Sequence, residues 1–467
     1  MTATTSPWPL RAVAFAAAAV LTAATTVYQH ESRYRHGCGR SRDDNTIVMV
    51  SGEDITPGRR REELIKTWND QHPLGPRVRL VSLPGGSDQE YSQMLAAQQL
   101  GSCLYDVLSL DVVWMQEFIR SGYLDPFTPA ELAGLDQPAF LPKTWATGAG
   151  RDGRQYAIPF TSDVGLLYYR KDIVKRPPRT WDELRRMTTP AALRRLPGRD
   201  KAGLVTQLAD YEGLTVNGME AVWGAGGTIA EGQDGRIVVD DAAAAGLHRL
   251  VDGMTASSPL ILADSAEFRE SDSLTAFIDG RALFLRDWPY AYPVIAADPL
   301  LKDRVGVAEL PGPAPDGPPG AGALGGQDLA IPKNALHKEE ARRFIRFLTE
   351  PAQQRRLYAC TGYVPVRVEA YRDVAACSQL TGERPANPRE SPDSLTARQL
   401  RGLSGILLRA IDRARQRPDV LYYPGFSRAF HRYLHDALTQ RGVVDAGALS
   451  RLLTTCAGRT PPGAVCP

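Results

Sequence analysis

Three short apolar stretches, TIVMV (46–50), RVRLVSL (77–83) and YDVLSL (105–110), decide how this chain folds. Between them the pattern changes to a helical period. Leu64, Ile65 and Trp68 share one face over 59–69, and Tyr91, Met94, Leu95 and Gln98 recur at helical spacing over 88–100. Short apolar strands joined by helices predict an α/β fold whose mainly parallel sheets are flanked by helices. Ligands of such sheets bind beyond the carboxyl ends of the strands. That rule makes Glu53 and Asp54, after the first strand, and Asp111 and Trp114, after the third, candidate contacts.

Outward from this unit the same reading continues. Residues 156–160 and 166–170 read as strands on either side of a polar turn, Thr161-Ser162-Asp163. Thr180 followed by Glu183 is a capping-box helix start. Residues 280–285 and 328–331 are further strands. Helical patterns cover 338–349, 402–415 and 427–439. No internal repeat is present.

Composition sets the frame. The chain has 467 residues, 43% hydrophobic and 23% charged, which is the make-up of a soluble globular protein. Its length allows two or three domains of ~100–200 residues. Lys plus Arg (55) nearly cancels Asp plus Glu (53), and the net charge of +2 gives no reason to expect a nucleic-acid partner. At the N-terminus an uncharged, Ala-rich run, 12–27, follows Arg11. It is short for a spanning helix, which needs ~20 apolar residues. It fits the apolar region of a secretory signal, with a terminal core helix as the competing reading. Cys38-Gly39 resembles the lipid-modified cysteine of bacterial lipoproteins, but Arg35, His36 and Gly37 before it do not fit such a signal. Membrane attachment is therefore expected only through the N-terminal segment or a lipid on Cys38.

The six cysteines lack the C-x-x-C spacing of zinc and redox sites. In an exported chain the economical pairing is Cys360 with Cys377 and Cys456 with Cys466, with Cys103 read as a small core residue. Gly320 to Gly325 spells G-x-G-x-x-G, yet a Pro-rich loop precedes it and a strand follows, so it reads as a turn rather than a dinucleotide site. No phosphate-binding P-loop, nucleophile elbow or H-E-x-x-H occurs. His431 and His435 stand four apart on a helix with no third ligand at metal-like spacing, and read as partly exposed helix-face residues. No metal or cofactor is implied.

What remains is a set of polar and aromatic residues at turns after strands: Asp111, Trp114, Asp163, Tyr211, Glu212, Trp223, Asp287, Trp288 and Tyr290. Taken one at a time, each aromatic is as readily a packing residue. As a set they match a sugar, because carboxylates accept hydrogen bonds from hydroxyls and flat rings cover the C–H face of a pyranose. A peptide or a polyamine would suit the same set. Glu212 with Asp287 could also serve as the carboxylate pair of a carbohydrate hydrolase.

Six stretches carry a resemblance: YDVLSLDVVWMQEFIRSGYLDPF (105–127), YAIPFTSDVGLLYYRKD (156–172), YEGLTVNGMEAVWGAGG (211–227), GRALFLRDWPYAY (280–292), GGQDLAIPKNA (325–335) and TGYVPVR (361–367). Together, over about residues 45–450, they resemble the family 1 extracellular solute-binding proteins of sugar ABC importers, in particular the trehalose/maltose-type branch. The resemblance implies two α/β lobes with a ligand cleft between them, no enzymatic activity, a sugar ligand, ABC permease subunits as partners and a monomer outside the cytoplasm. A signal or anchor segment is expected at 1–44. The first lobe is expected over 45–157 plus about 290–340, and the second over 158–289 plus about 341–467.

Position by position, the resemblance implies ligand contacts at Asp111 and Trp114, at Asp163, at Tyr211 and Glu212, at Asp287 and Trp288, and at the glycine pair Gly325-Gly326 with Gln327 beside it. A late Arg-Pro…Tyr segment adds Arg417 and Tyr423. Three positions depart from the family pattern. Asp163 and Asp287 stand where asparagine is usual, and Gln327 where an aromatic is common. A cleft more acidic than usual is the expectation.

Overall fold

The unbroken run TIVMV and the alternating run RVRLVSL differ because their strands sit at different places in one sheet. In the computed structural model, which describes residues 45–54, 59–231, 236–255, 260–382, 395–458 and 466, the first forms β1 (Thr46–Gly52) and the second β2 (Arg77–Leu83). β1 is central, with Ile47 to Val50 buried on both faces, so every position is apolar. β2 is the edge strand and turns Arg77 and Arg79 to solvent, a charged edge that discourages pairing with another chain.

The other strands, in chain order, are β3 (Val107–Asp111), β4 (Ala157–Val164), β5 (Leu166–Arg170), β6 (Ala202–Val205), β7 (Ile229–Glu231), β8 (Ile237–Val239), β9 (Ala282–Asp287), β10 (Val305–Ala308), β11 (Leu324–Ala330) and β12 (Val364–Pro365). They form a six-stranded sheet in the order β12-β4-β11-β3-β1-β2, a four-stranded sheet β10-β5-β9-β6, and a β7–β8 hairpin. β1 runs parallel to β2 and β3, while β11 is antiparallel to β3 and β4. In the second sheet only β6–β9 is parallel. The fold is α/β as expected, but its sheets are mixed rather than mainly parallel. The chain passes from sheet to sheet through β4–β5 and returns through β11, and a strand that returns without a crossover helix must run against its neighbour.

Three expected boundaries fall elsewhere. Asp163 was expected in a turn, but it lies inside β4, which extends through Val164 because β11 pairs along its whole length. β4 belongs to the first sheet and β10 to the second, so the crossings follow Val164 and Ala308. The helices Lys338–Leu348 and Pro351–Thr361 were expected in the second lobe. Instead Ala341, Phe344, Ile345, Leu348 and Leu357 share a core with Ile47, Met49 and Trp68 of the first. At ~1.5–3 kcal/mol for each large apolar side chain fully buried, that face fixes the helices to the first sheet.

A separate core lies around the helices Glu212–Gly224, Asp241–Thr255 and Tyr423–Asp436 of the second lobe. A third, holding Val164, Leu166, Leu324 and Val364, spans the junction and packs the helix Ala397–Arg413. Thr180 caps its helix, its side chain accepting from Glu183 N at 3.2 Å, but the expected capping box is not completed, because the Glu183 carboxylate accepts from Arg179 N at 2.8 Å instead. The cysteines pair Cys360–Cys377 and Cys456–Cys466, with Cα separations of 4.8 and 5.6 Å. Cys103 is disulfide-bonded as well, which corrects its reading as a free core residue. Among the described residues no helix is long and apolar enough to cross a membrane. The apolar run 12–27 and Cys38 lie outside the described residues.

Candidate functional site: the cleft between the sheets

The carboxyl ends of β1 and β3, the paired segment of β4 and β11, and the segments after β9 converge on one cavity of about 570 Å³. This falls within the ~300–1,000 Å³ range of small-molecule sites. Of the residues singled out in the sequence, Glu53, Asp111, Trp114, Asp163, Tyr211, Glu212, Trp288, Gly325, Gly326, Gln327 and Arg417 line it.

The floor comes from three adjacent strands. In register, Asp163 of β4 faces Gly325 of β11, and Gln327 of β11 faces Asp111 of β3. Glycine is required at Gly326 and favoured at Gly325. Gly326 has φ +118°, and a Cβ on it would lie 2.2 Å from the Thr161 carbonyl oxygen. A Cβ on Gly325 would come within 3.3 Å of the Trp288 ring. Gln327 accepts a hydrogen bond from the Thr161 hydroxyl at 2.6 Å. Burial, with Asp111 nearby, pushes the Asp163 carboxyl up to about 8, opposed by Arg286. Glu90, on the helix Ser87–Gln99, is raised to about 7 by burial and by Asp111.

Trp288 stands at the opposite wall. By strand alternation Arg286 lies on its side of β9. The guanidinium sits 4.2 Å from the indole centroid and is held by Glu220 through two hydrogen bonds of 2.6 and 2.7 Å. Arg286 does not line the cavity, so the ion pair supports the ring from behind. Tyr211 is covered in the same manner by Arg269, 4.5 Å from its centroid.

Arg417 joins the two sides. It donates to Asp111 Oδ1 at 3.0 Å and to Glu212 Oε1 at 2.8 Å. Glu212 also accepts from Tyr423 at 2.6 Å and from Ser427. Burial raises its pKa, and Arg417, Ser427 and Tyr423 act against that rise. Glu212 therefore orients Arg417.

Three expected contacts do not line the cavity. Asp287 is fully buried beneath Trp288, whose backbone N–H donates to it at 2.7 Å. It lies on the face of β9 opposite Arg286. Burial holds its carboxyl well above the usual range. Asp54 accepts from Arg61 N and from the Tyr363 hydroxyl, both at 3.2 Å, behind the first wall. Tyr423 supports Glu212 from below. With Asp287 turned away, Glu212 and Asp287 cannot flank a glycosidic bond in this cavity, which removes the structural basis for the hydrolase alternative. Trp223 is a buried packing residue beneath Arg415. His431, expected to be partly exposed, is buried with Nδ1 2.5 Å from Asp210. Among the described residues no group of three or more His, Cys, Asp or Glu could hold a metal.

The sequence reading missed Arg61, Glu90, Arg269, Glu270 and Tyr363 as cavity residues. Tyr290, one of the turn aromatics, lines the cavity but was not among the contacts implied by the resemblance.

The model of the family described as "Bacterial extracellular solute-binding protein" matches residues 52–355, which include both sides of this cavity. The chain belongs to that family. It is a bacterial extracellular solute-binding protein, and binding rather than catalysis is the family's role. Among its relatives, a "Probable ABC transporter-binding protein" of Deinococcus radiodurans is 30% identical over 310 residues, covering 64% of this chain and 71% of that one. The "Multiple sugar-binding protein" of Streptococcus mutans is 23% identical over 351 residues, 72% of this chain and 78% of the relative. Among solved structures, maltose-bound T. maritima MalE3 superposes with a TM-score of 0.73 at 30% identity, covering 88% of this chain and 98% of the other. This solute-binding protein therefore has the two-lobed architecture with an interlobe cleft that its sequence led us to expect.

Proposed function

We propose that this solute-binding protein captures a sugar, a disaccharide or short oligosaccharide of trehalose/maltose type, and delivers it to the membrane subunits of an ABC importer. The observation that carries the reading is the cavity itself, which sets Trp114 and Trp288 among the carboxylates of Asp111 and Asp163. Such a site offers rings for a pyranose face and acceptors for its hydroxyls. Likeness to a maltose-bound structure at 30% identity supports the same cargo. In this reading Asp111, Trp114, Asp163, Tyr211, Trp288, Gln327 and the backbone at Gly325 and Gly326 touch the sugar, while Glu212, Tyr423 and Asp287 hold them in place. Arg417, bonded to both sides of the cleft, couples occupancy to the relation of the two lobes. The protein acts as a monomer at the outer face of the cell membrane, held there by its N-terminal segment.

A thermal-shift screen over mono-, di- and oligosaccharides tests the reading. A ligand at a hundred times its Kd stabilises the fold by ~2.7 kcal/mol. Silence across the whole panel would overturn the sugar assignment.

A further inference from the structure

Among the described residues, acidic side chains around the cavity outnumber basic ones. Six carboxyl groups line it: Glu53, Glu90, Asp111, Asp163, Glu212 and Glu270. Three guanidiniums face them, and each is already engaged. Arg417 is shared between Asp111 and Glu212. Arg61 donates to the Ser51 hydroxyl, the Gly52 carbonyl and the Tyr363 hydroxyl. Arg269 lies over the Tyr211 ring. Among the described residues no lysine lines the cavity.

Asp163 and Glu90 make neither an ion pair nor a side-chain hydrogen bond among the described residues, and Asp111 lies within electrostatic reach of both. Tyr211, 3% exposed, lines the same cavity with its hydroxyl directed to Glu270. Without a cation beside them these carboxyls keep their protons, Asp163 up to about 8 and Glu90 up to about 7, which spares the cost of unpaired buried charge. An ammonium brought in by the ligand displaces those protons and pairs with the carboxylates, an interaction that an uncharged hydroxyl cannot make. The aromatic side chains at the same site keep the requirement for a ring.

We propose that the cargo is an amino sugar, whose ammonium is received by Asp163 while Glu90, across Asp111, adds to the acidic field and the ring lies against Trp288. The inference rests on the sugar-capture reading and narrows it to a cationic subclass.

The test is titration calorimetry of the full chain at pH 7 with matched pairs: glucose and glucosamine, galactose and galactosamine, cellobiose and the chitosan dimer, trehalose and 2-amino-2-deoxytrehalose. We expect at least one amino member to bind ten-fold or more tighter than its neutral partner. Asp163→Asn is nearly isosteric and should abolish that preference, and Glu90→Gln should reduce it. Neutral members binding as tightly as their amino counterparts would overturn this inference and leave the capture reading standing. A preference that survives in both variants would overturn the assignment to Asp163 and Glu90. If no member of any pair binds, the inference and the sugar reading fall together.

Discussion

The two walls of the cleft are built on different principles. The first-sheet wall is made of backbone and short acidic side chains. Asp111 and Asp163 project from strands on either side of a glycine pair, and the spacing of three paired strands fixes their positions. The second wall is made of large rings, and side chains behind them hold those rings. Trp288 leans on Arg286, which Glu220 clamps, and Tyr211 lies under Arg269. The first wall therefore owes its shape to strand register, and the second to a buried ion pair and cation–π contacts. The two should respond differently to substitution.

The largest effect is expected where the second wall is undermined. Glu220→Ala leaves the Arg286 guanidinium buried without its carboxylate, and it also removes the acceptor for Ala323 N. Breaking one side of a buried pair costs ~3–5 kcal/mol, so denaturant unfolding should show a loss of that order. A loss below ~1 kcal/mol would mean that the pair does not carry the wall.

Next is Trp288→Ala, which takes away the ring and leaves its support intact. Affinity for the sugar found by screening should fall about thirty-fold, equivalent to ~2 kcal/mol, with the melting temperature nearly unchanged. An equal loss of stability and affinity would show that Trp288 is a packing residue.

The smallest expected effect is on the first wall and is read through pH. Asp163 is raised to about 8 by burial, so between about pH 4 and pH 8 the folded chain holds a proton that the unfolded chain has released. That contribution is fully present below the ordinary aspartate range and is lost as pH rises toward 8. Each pKa unit corresponds to ~1.4 kcal/mol. Between about pH 5 and pH 8 the parent protein should lose on the order of 1 kcal/mol more stability than Asp163→Asn. Parallel profiles would contradict the assigned burial of this carboxyl.

The contrast between the walls also explains what the sequence disclosed. Asp111 ends β3, Trp114 follows it and Glu53 follows β1, so the rule that ligands gather at strand ends located them without further knowledge. Asp163 and Trp288 were legible as polar and aromatic residues near strand ends, Gly325 and Gly326 came from motif resemblance, and all four line the cavity. Asp287 was misjudged because neighbouring strand residues face opposite sides, and Trp288 rather than Asp287 took the cavity side. Arg61 and Glu90 lie on helices whose helical pattern was legible, but no local signal says which residue on a helix will meet a distant strand. Arg269 and Glu270 begin the helix Glu270–Ile278 in the other lobe, and their place in the cleft depends on how the lobes come together. Helices 338–348 and 351–361 were assigned to the wrong lobe for a similar reason. An amphipathic face shows that a helix packs, but not on which sheet.

The central claim is that this solute-binding protein holds a sugar between the two walls. A crystal structure grown with the tightest-binding sugar from the screen tests it most directly. The account predicts one pyranose ring against Trp288, with its hydroxyls or ammonium bonded to Asp111 and Asp163. A sugar bound outside the cleft, or lying within it without touching either aspartate, would contradict the account.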